Sequence, residues 1–97
     1  MIIYIDIDET IAEPSESRNY ADSTPITANI NKANKLYDEG HTIVYWTARG
    51  TTTGIDWTDV TRNQLDSWGV KYHDLKLGKP QYDLFIDDKA LNTNDWR

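Results

Sequence analysis

The chain has no cysteine among its 97 residues. That absence excludes disulfides, thiolate zinc, iron–sulfur clusters and thiol catalysis. Histidine is nearly as scarce, with two copies. Three prolines and five glycines are too few, and too scattered, for a linker or a low-complexity segment. No apolar run approaches the ~20 residues that span a bilayer. Basic charge is in deficit, with 10 Lys and Arg against 16 Asp and Glu and a net charge of −6. This removes any general attraction to nucleic acid or anionic membrane, though it leaves room for a small local anion site. The opening MIIYIDID has neither a basic n-region nor a small-residue cleavage site, so the expectation is a cytoplasmic protein rather than a secreted one.

What is present argues for a folded core. Only 38% of the residues are apolar and the mean hydropathy is −0.71. Aromatics nevertheless make up 11% of the chain, which argues against disorder. A chain of this size buries roughly 60–70% of its unfolded surface, enough for one domain over residues 1–97 and no more. No internal repeat is visible.

The pattern of elements is that of an α/β fold. Ile2 to Ile7 is an apolar, β-branched run and predicts a strand buried on both faces. Glu9 to Asp22 has no period and reads as a loop or flap. Thr24 as N-cap and Pro25 at the first helical position predict a helix start. Ile26, Ile30, Ala33 and Tyr37 would form its apolar face, and Gly40 its stop. Thr42 to Trp46 predicts the second strand, and Thr47 to Gly54 a polar loop. Asp56 or Thr58 would cap a second helix, with Trp57, Val60, Leu65 and Trp68 on one side and Gly69 at its end. Val70–Tyr72 and Tyr82–Ile86 predict a third and a fourth strand, and Leu91–Arg97 at most one helical turn. Strands alternating with helices imply a parallel sheet with right-handed crossovers, which binds its ligands beyond the carboxyl ends of the strands.

Those ends carry the chemistry. Strand one runs into Asp6-Ile7-Asp8-Glu9-Thr10 and strand two into Thr47-Ala48-Arg49-Gly50. Gly78-Lys79-Pro80 follows the third segment, and Asp87-Asp88-Lys89 the fourth. Asp6 and Asp8, two apart, project to the same side. Brought together, four carboxylates would repel by about 4 kcal/mol per pair at 4 Å and an effective dielectric near 20. Such a cluster must take up protons or a cation. Oxygen ligands without His or Cys favour a hard ion, most commonly Mg²⁺. Lys79 adds a cation and Thr47 a hydroxyl, and an anion site over a metal suits a phosphoryl group. A calcium-binding EF-hand is excluded, because Ile11 stands at the obligatory glycine and Ser17 at the closing glutamate.

The four segments, in this order and spanning residues 6 to 88, resemble the haloacid dehalogenase-like superfamily. Its pattern is DxDx[TV], then Thr or Ser, then Lys or Arg, then an acidic pair. The resemblance implies a Rossmann-like parallel sheet sandwiched by helices, without a cap domain, since neither gap between motifs holds an inserted one. It implies a Mg²⁺-dependent phosphatase in which Asp6 attacks phosphorus and forms an aspartyl-phosphate, while Asp8 acts as general acid and then general base. Thr47 and Lys79 would hold the phosphoryl oxygens, with Ala48 and Arg49 beside the substrate. Asp6, the Asp8 backbone carbonyl and Asp87 would hold the metal, with Asp88 behind them or bound through water. Glu9 stands where many members have glycine, and this widens the range of substrates.

The stretches around TARG and GKPxxDLFIDDKA look most like small capless phosphatases of bacterial capsule and surface-sugar pathways. The implied substrate is a sugar phosphate or similar small phosphomonoester, in an open site that a second subunit could cover. A phosphoprotein or a polynucleotide end is the alternative within this class, the latter disfavoured by the acidic charge. Outside it stand a phosphate-binding module without turnover and a phospho-receiver domain. Receivers place the acidic pair after the first strand and the accepting Asp after the third, the reverse of the order here.

Other residues have two readings each. Arg49 either contacts substrate or caps its loop, and Trp57 either lines a pocket or fills the loop. Thr51–Gly54 reads as a solvated rim, His41 as structural, His73 as structural or rim, Trp46 and Trp68 as core, and Lys89 as charge relief.

Overall fold

The computed structural model describes all 97 residues. Ile2–Ile5 forms β1, which pairs in parallel with β4, Thr42–Trp46, from Ile2 opposite Thr42 to Ile5 opposite Tyr45. β4 pairs in parallel with β5, Asp74–Lys76, and the sheet order is β1-β4-β5. Helix α1, Thr27–Asp38, connects β1 to β4, and helix α2, Thr58–Ser67, connects β4 to β5. A small antiparallel ribbon, β2 (Ala12–Glu13) with β3 (Thr24–Pro25), stands beside the sheet. Single 3₁₀ turns occupy Tyr20–Asp22 and Thr93–Asp95. No helix is long and apolar enough to cross a membrane.

The sheet is covered by helices on one face, not sandwiched as the resemblance implied. The order β1-β4-β5 advances in one direction, so two right-handed crossovers place both helices on the same side. Ile5, Ile43 and Tyr45 of the sheet share one core with Ile30 and Ala33 of α1 and Leu65 of α2. Asn34 of α1 donates to the Gly69 carbonyl at the end of α2, tying the helices together. β1 is correspondingly buried on one face only: Ile5 faces the core, while Ile2 and Tyr4 are exposed.

Three sequence expectations are corrected. Thr24 and Pro25 do not open α1. They pair with Glu13 and Ala12, the Ile26 N–H donates to the Ile11 carbonyl, and the helix begins at Thr27 without a side-chain cap. Val70–Tyr72 is not a strand, because its backbone is spent elsewhere. The Val70 N–H bonds the Leu65 carbonyl and the Lys71 N–H bonds Asn34 Oδ1, so pairing with β4 starts only at His73. Tyr82–Ile86 is unpaired and exposed throughout. Only residues 77–81 separate it from β5, and a parallel connection needs a dozen or more.

Gly40, at φ 98°, ends α1 as expected, whereas α2 has Trp57 rather than Asp56 or Thr58 at its N-cap and no side-chain cap, Asp56 Oδ1 accepting from the Thr58 N–H just ahead of it. The last segment forms its single turn, and Trp96 packs against the core. One core group is unsatisfied. The Tyr45 hydroxyl is fully buried with no partner, and burial pushes its pKa far above the ordinary tyrosine value. Tyr45→Phe keeps the edge-on contact with Tyr72 and removes the orphan, so it should stabilise the fold by about 1 kcal/mol in urea denaturation. A destabilised variant would mean the hydroxyl is bonded in solution.

Candidate active site at the carboxyl ends of the strands

The turn after β1 is wound around one acceptor. The N–H groups of Thr10, Ile11 and Ala12 all lie within hydrogen-bond distance of the Ile7 carbonyl. This forces Glu9 to φ 64°, a backbone state that favours glycine. Asp6 and Asp8 flank the buried Ile7 and both line a cleft of about 490 Å³.

Thr47 and Lys79 reach the same cleft by backbone clamps. The Thr47 N–H donates to the Lys76 carbonyl at the end of β5, and the Lys79 N–H donates back to the Thr47 carbonyl. The Lys79 carbonyl in turn accepts from Thr51 Oγ1, so the solvated rim holds the lysine in place. Lys79 Nζ lies 3.6 Å from Asp6 Oδ1, over the rings of Trp46 and Tyr82. Burial pushes the Asp6 carboxyl above its ordinary pKa. Lys79 and the Ile7 N–H oppose the shift without cancelling it, and Asp8 adds to it. Thr47 Oγ1 accepts from the Arg49 N–H and keeps its own proton to donate.

Arg49 is the centre of the site's support rather than a substrate contact. Its Nε and Nη2 donate to the two oxygens of Asp8 at 3.0 and 2.8 Å. Nη1 donates to Thr61 Oγ1 and Gln64 Oε1 of α2. Four of its five N–H donors are therefore used within the protein, and the guanidinium stacks over Tyr20 at 4.8 Å. Gln64 also donates to the Tyr20 carbonyl, which fixes the flap to α2. Gly50 closes the loop that carries Arg49: a Cβ there would lie 2.0 Å from the Ile55 carbonyl oxygen.

The structure thus brings Asp6, Asp8, Thr47, Ala48, Arg49 and Lys79 to one cleft. It does not bring Asp87 and Asp88. Both are exposed on the unpaired segment, outside the cleft lining, and Asp87 accepts from the Lys89 N–H. Nowhere do three His or carboxylate side chains converge to hold a metal ion. Of the expected metal set, Asp6 and Asp8 line the cleft and Asp87 and Asp88 do not.

Sequence reasoning missed three contributors. Arg18 lines the cleft from the flap, at φ 61°, and joins Lys79 as a second cation open to it. Its only sequence signal is a position in the flap after the first motif. Thr61 and Gln64 are buried polar residues on α2, visible beforehand only as polar interruptions of an apolar face. The remaining candidates resolve simply. His41 bonds the N-terminal amine, and His73 accepts from the Ile43 N–H and stacks on Tyr37, so both are structural. Trp68 packs on the core, Trp46 stands edge-on to Tyr4, and Trp57 supports Tyr20 from outside the cleft.

No family model matches the sequence, and no curated protein does. The fold is similar to a crystal structure from Vibrio cholerae, with a TM-score of 0.86 and 24% identity over 96% of this chain and 84% of that one. At that identity the likeness bears on the fold alone, an α/β fold with a parallel sheet.

Proposed function

We propose that the protein is a phosphomonoester hydrolase with a haloacid dehalogenase-like core, acting through an aspartyl-phosphate on Asp6. The observation that carries this reading is the meeting of Asp6, Asp8, Thr47 and Lys79, from three separate strand ends, in one polar cleft. Asp6 supplies the nucleophilic oxygen, and Lys79 Nζ beside it offsets charge as the phosphoryl group approaches. Thr47 donates its free hydroxyl proton to a phosphoryl oxygen. Asp8, its carboxylate plane fixed by the Arg49 fork, protonates the leaving oxygen and then deprotonates the water that hydrolyses the intermediate. Each step described here is carried by the chain's own residues.

A sugar phosphate or similar small phosphomonoester suits the cleft best. Its volume lies in the range of small-molecule sites. Ser15, Asn19, Ser23 and Gln81 offer hydrogen bonds to a polyhydroxylated body, and Arg18 offers a second charge to the phosphate. The test is phosphate release from p-nitrophenyl phosphate and a panel of sugar phosphates, nucleotides and phosphopeptides, with Mg²⁺ titrated from zero. Catalytic release with a sugar phosphate preferred is the expected result. Tight phosphate binding without release would assign a binding module, and a long-lived acyl phosphate a receiver domain.

A further inference from the structure

The cation beside Asp6 is held by the faces of rings rather than by hydrogen bonds. We propose that Trp46 and Tyr82 are positioning residues, an aromatic clamp that sets the Lys79 ammonium at Asp6 and leaves its N–H donors free for phosphoryl oxygens. The clamp stands on side-chain geometry, while its service to a phosphoryl group rests on the function proposed above.

Strand register brings the parts together. Ile5 of β1 pairs with Tyr45 of β4, so Asp6 and Trp46 are the next residues along the same two chains. Side chains alternate across a strand. Ile5 and Tyr45 face the helices, which turns Trp46 to the opposite face of the sheet, where no helix lies. Lys79 is carried to this point by its backbone bond to the Thr47 carbonyl. Its Nζ lies 5.8 Å from the centre of the Trp46 ring and 5.4 Å from that of Tyr82. Both distances fall within the ~6 Å over which a ring face attracts an ammonium. Each ring has its own support: Tyr4 stands edge-on to Trp46 at 5.9 Å, and Phe85 leans on Tyr82 at 5.2 Å.

Holding the cation this way has a chemical consequence. An ammonium carries three donors and no acceptor. The carboxylate oxygen paired with Lys79, Asp6 Oδ1, stands 3.6 Å away, beyond hydrogen-bond length. A second carboxylate in place of the rings would neutralise the ammonium and occupy its donors. Ring faces attract it through their quadrupole and leave both charge and donors for an incoming phosphate. Arg49, four of whose donors are spent inside the protein, is the opposite case in the same cleft.

The first readout of the test needs neither substrate nor turnover. Protons above a ring face resonate upfield. In lysine-labelled protein, the Lys79 Hε signals should therefore lie upfield of those of Lys35, Lys71 and Lys89, which stand over no ring. Lys79→Met identifies the signals by their loss. Trp46→Leu and Tyr82→Leu should each move them back toward the other three, while Trp46→Phe and Tyr82→Phe should keep most of the displacement. The second readout is calorimetric titration with inorganic phosphate. Each leucine variant should bind it about fivefold more weakly, and each phenylalanine variant should recover most of that loss. Tyr82 lies outside every helix and strand and is 43% exposed, so its variants report even if Trp46→Leu does not fold.

Lys79 signals level with those of the unstacked lysines, or unmoved by the leucine substitutions, overturn the clamp. Displaced signals overturn the positioning role if wild type binds no phosphate, if the leucine variants bind it as tightly, or if the phenylalanine variants recover nothing. A clamp that passes both readouts in a protein that hydrolyses no ester upholds this inference and overturns the hydrolase instead.

Discussion

Replacing Asp6 by Asn should lower phosphate release by about 10³-fold or more while leaving the protein at least as stable as wild type. The rate loss follows from the chemistry, because a carboxamide oxygen lacks the charge to displace an alcohol from phosphorus. The stability result follows from the site. Burial disfavours the Asp6 carboxylate, and Lys79, 3.6 Å away, compensates only in part. The folded chain therefore holds this proton more tightly than the unfolded chain, whose value lies near 3.8. Wild type loses stability as pH rises from that value through the raised folded one, and the asparagine variant does not. In chelator-treated buffer at neutral pH, its thermal midpoint should equal or exceed that of wild type. The difference should vanish below about pH 3.8. A dead but undamaged protein is what removal of a nucleophile produces. Retained activity would remove Asp6 from the mechanism, and loss of activity with loss of stability would make it a structural residue.

The legible parts of this fold are those fixed by residues close in sequence. Thr42–Trp46 is a strand because its large residues pack from within the run, and Gly40 ends α1 because the local backbone requires it. Asp6 and Thr47 meet because each directly follows a strand of the same sheet, and the strand alignment does the rest. The failures occur where a distant partner decides. Thr24-Pro25 carries a sound helix-start signal, but Ala12 and Glu13 offer it a ribbon instead. Val70–Tyr72 has the composition of a strand, yet Asn34, some 35 residues away, takes its backbone. Arg49 could be read as a substrate contact because its partners Asp8, Thr61 and Gln64 sit 41, 12 and 15 residues away. No local pattern ties a strand-end arginine to two polar residues on the next helix.

Arg49→Met is expected to be the most destabilising single change in the site. Arg49 is 2% exposed, and its guanidinium satisfies Asp8, Thr61 and Gln64 together. Methionine fills part of the volume but leaves a carboxylate, a hydroxyl and an amide oxygen without their donor. Breaking a buried ion pair from one side typically costs about 3–5 kcal/mol, a third or more of the stability of many domains this size. The thermal midpoint should fall by at least about 12 °C, read from the fluorescence of the four tryptophans. Arg49→Lys should recover little, since an ammonium cannot fork to both Asp8 oxygens and still reach α2. The decisive comparison is a cycle with Asp8→Asn. If Arg49 exists chiefly to hold Asp8, the double variant should be distinctly less destabilised than the sum of the singles. Additive losses would instead assign the arginine to the α2 contacts, leaving the orientation of Asp8 to the turn around Ile7.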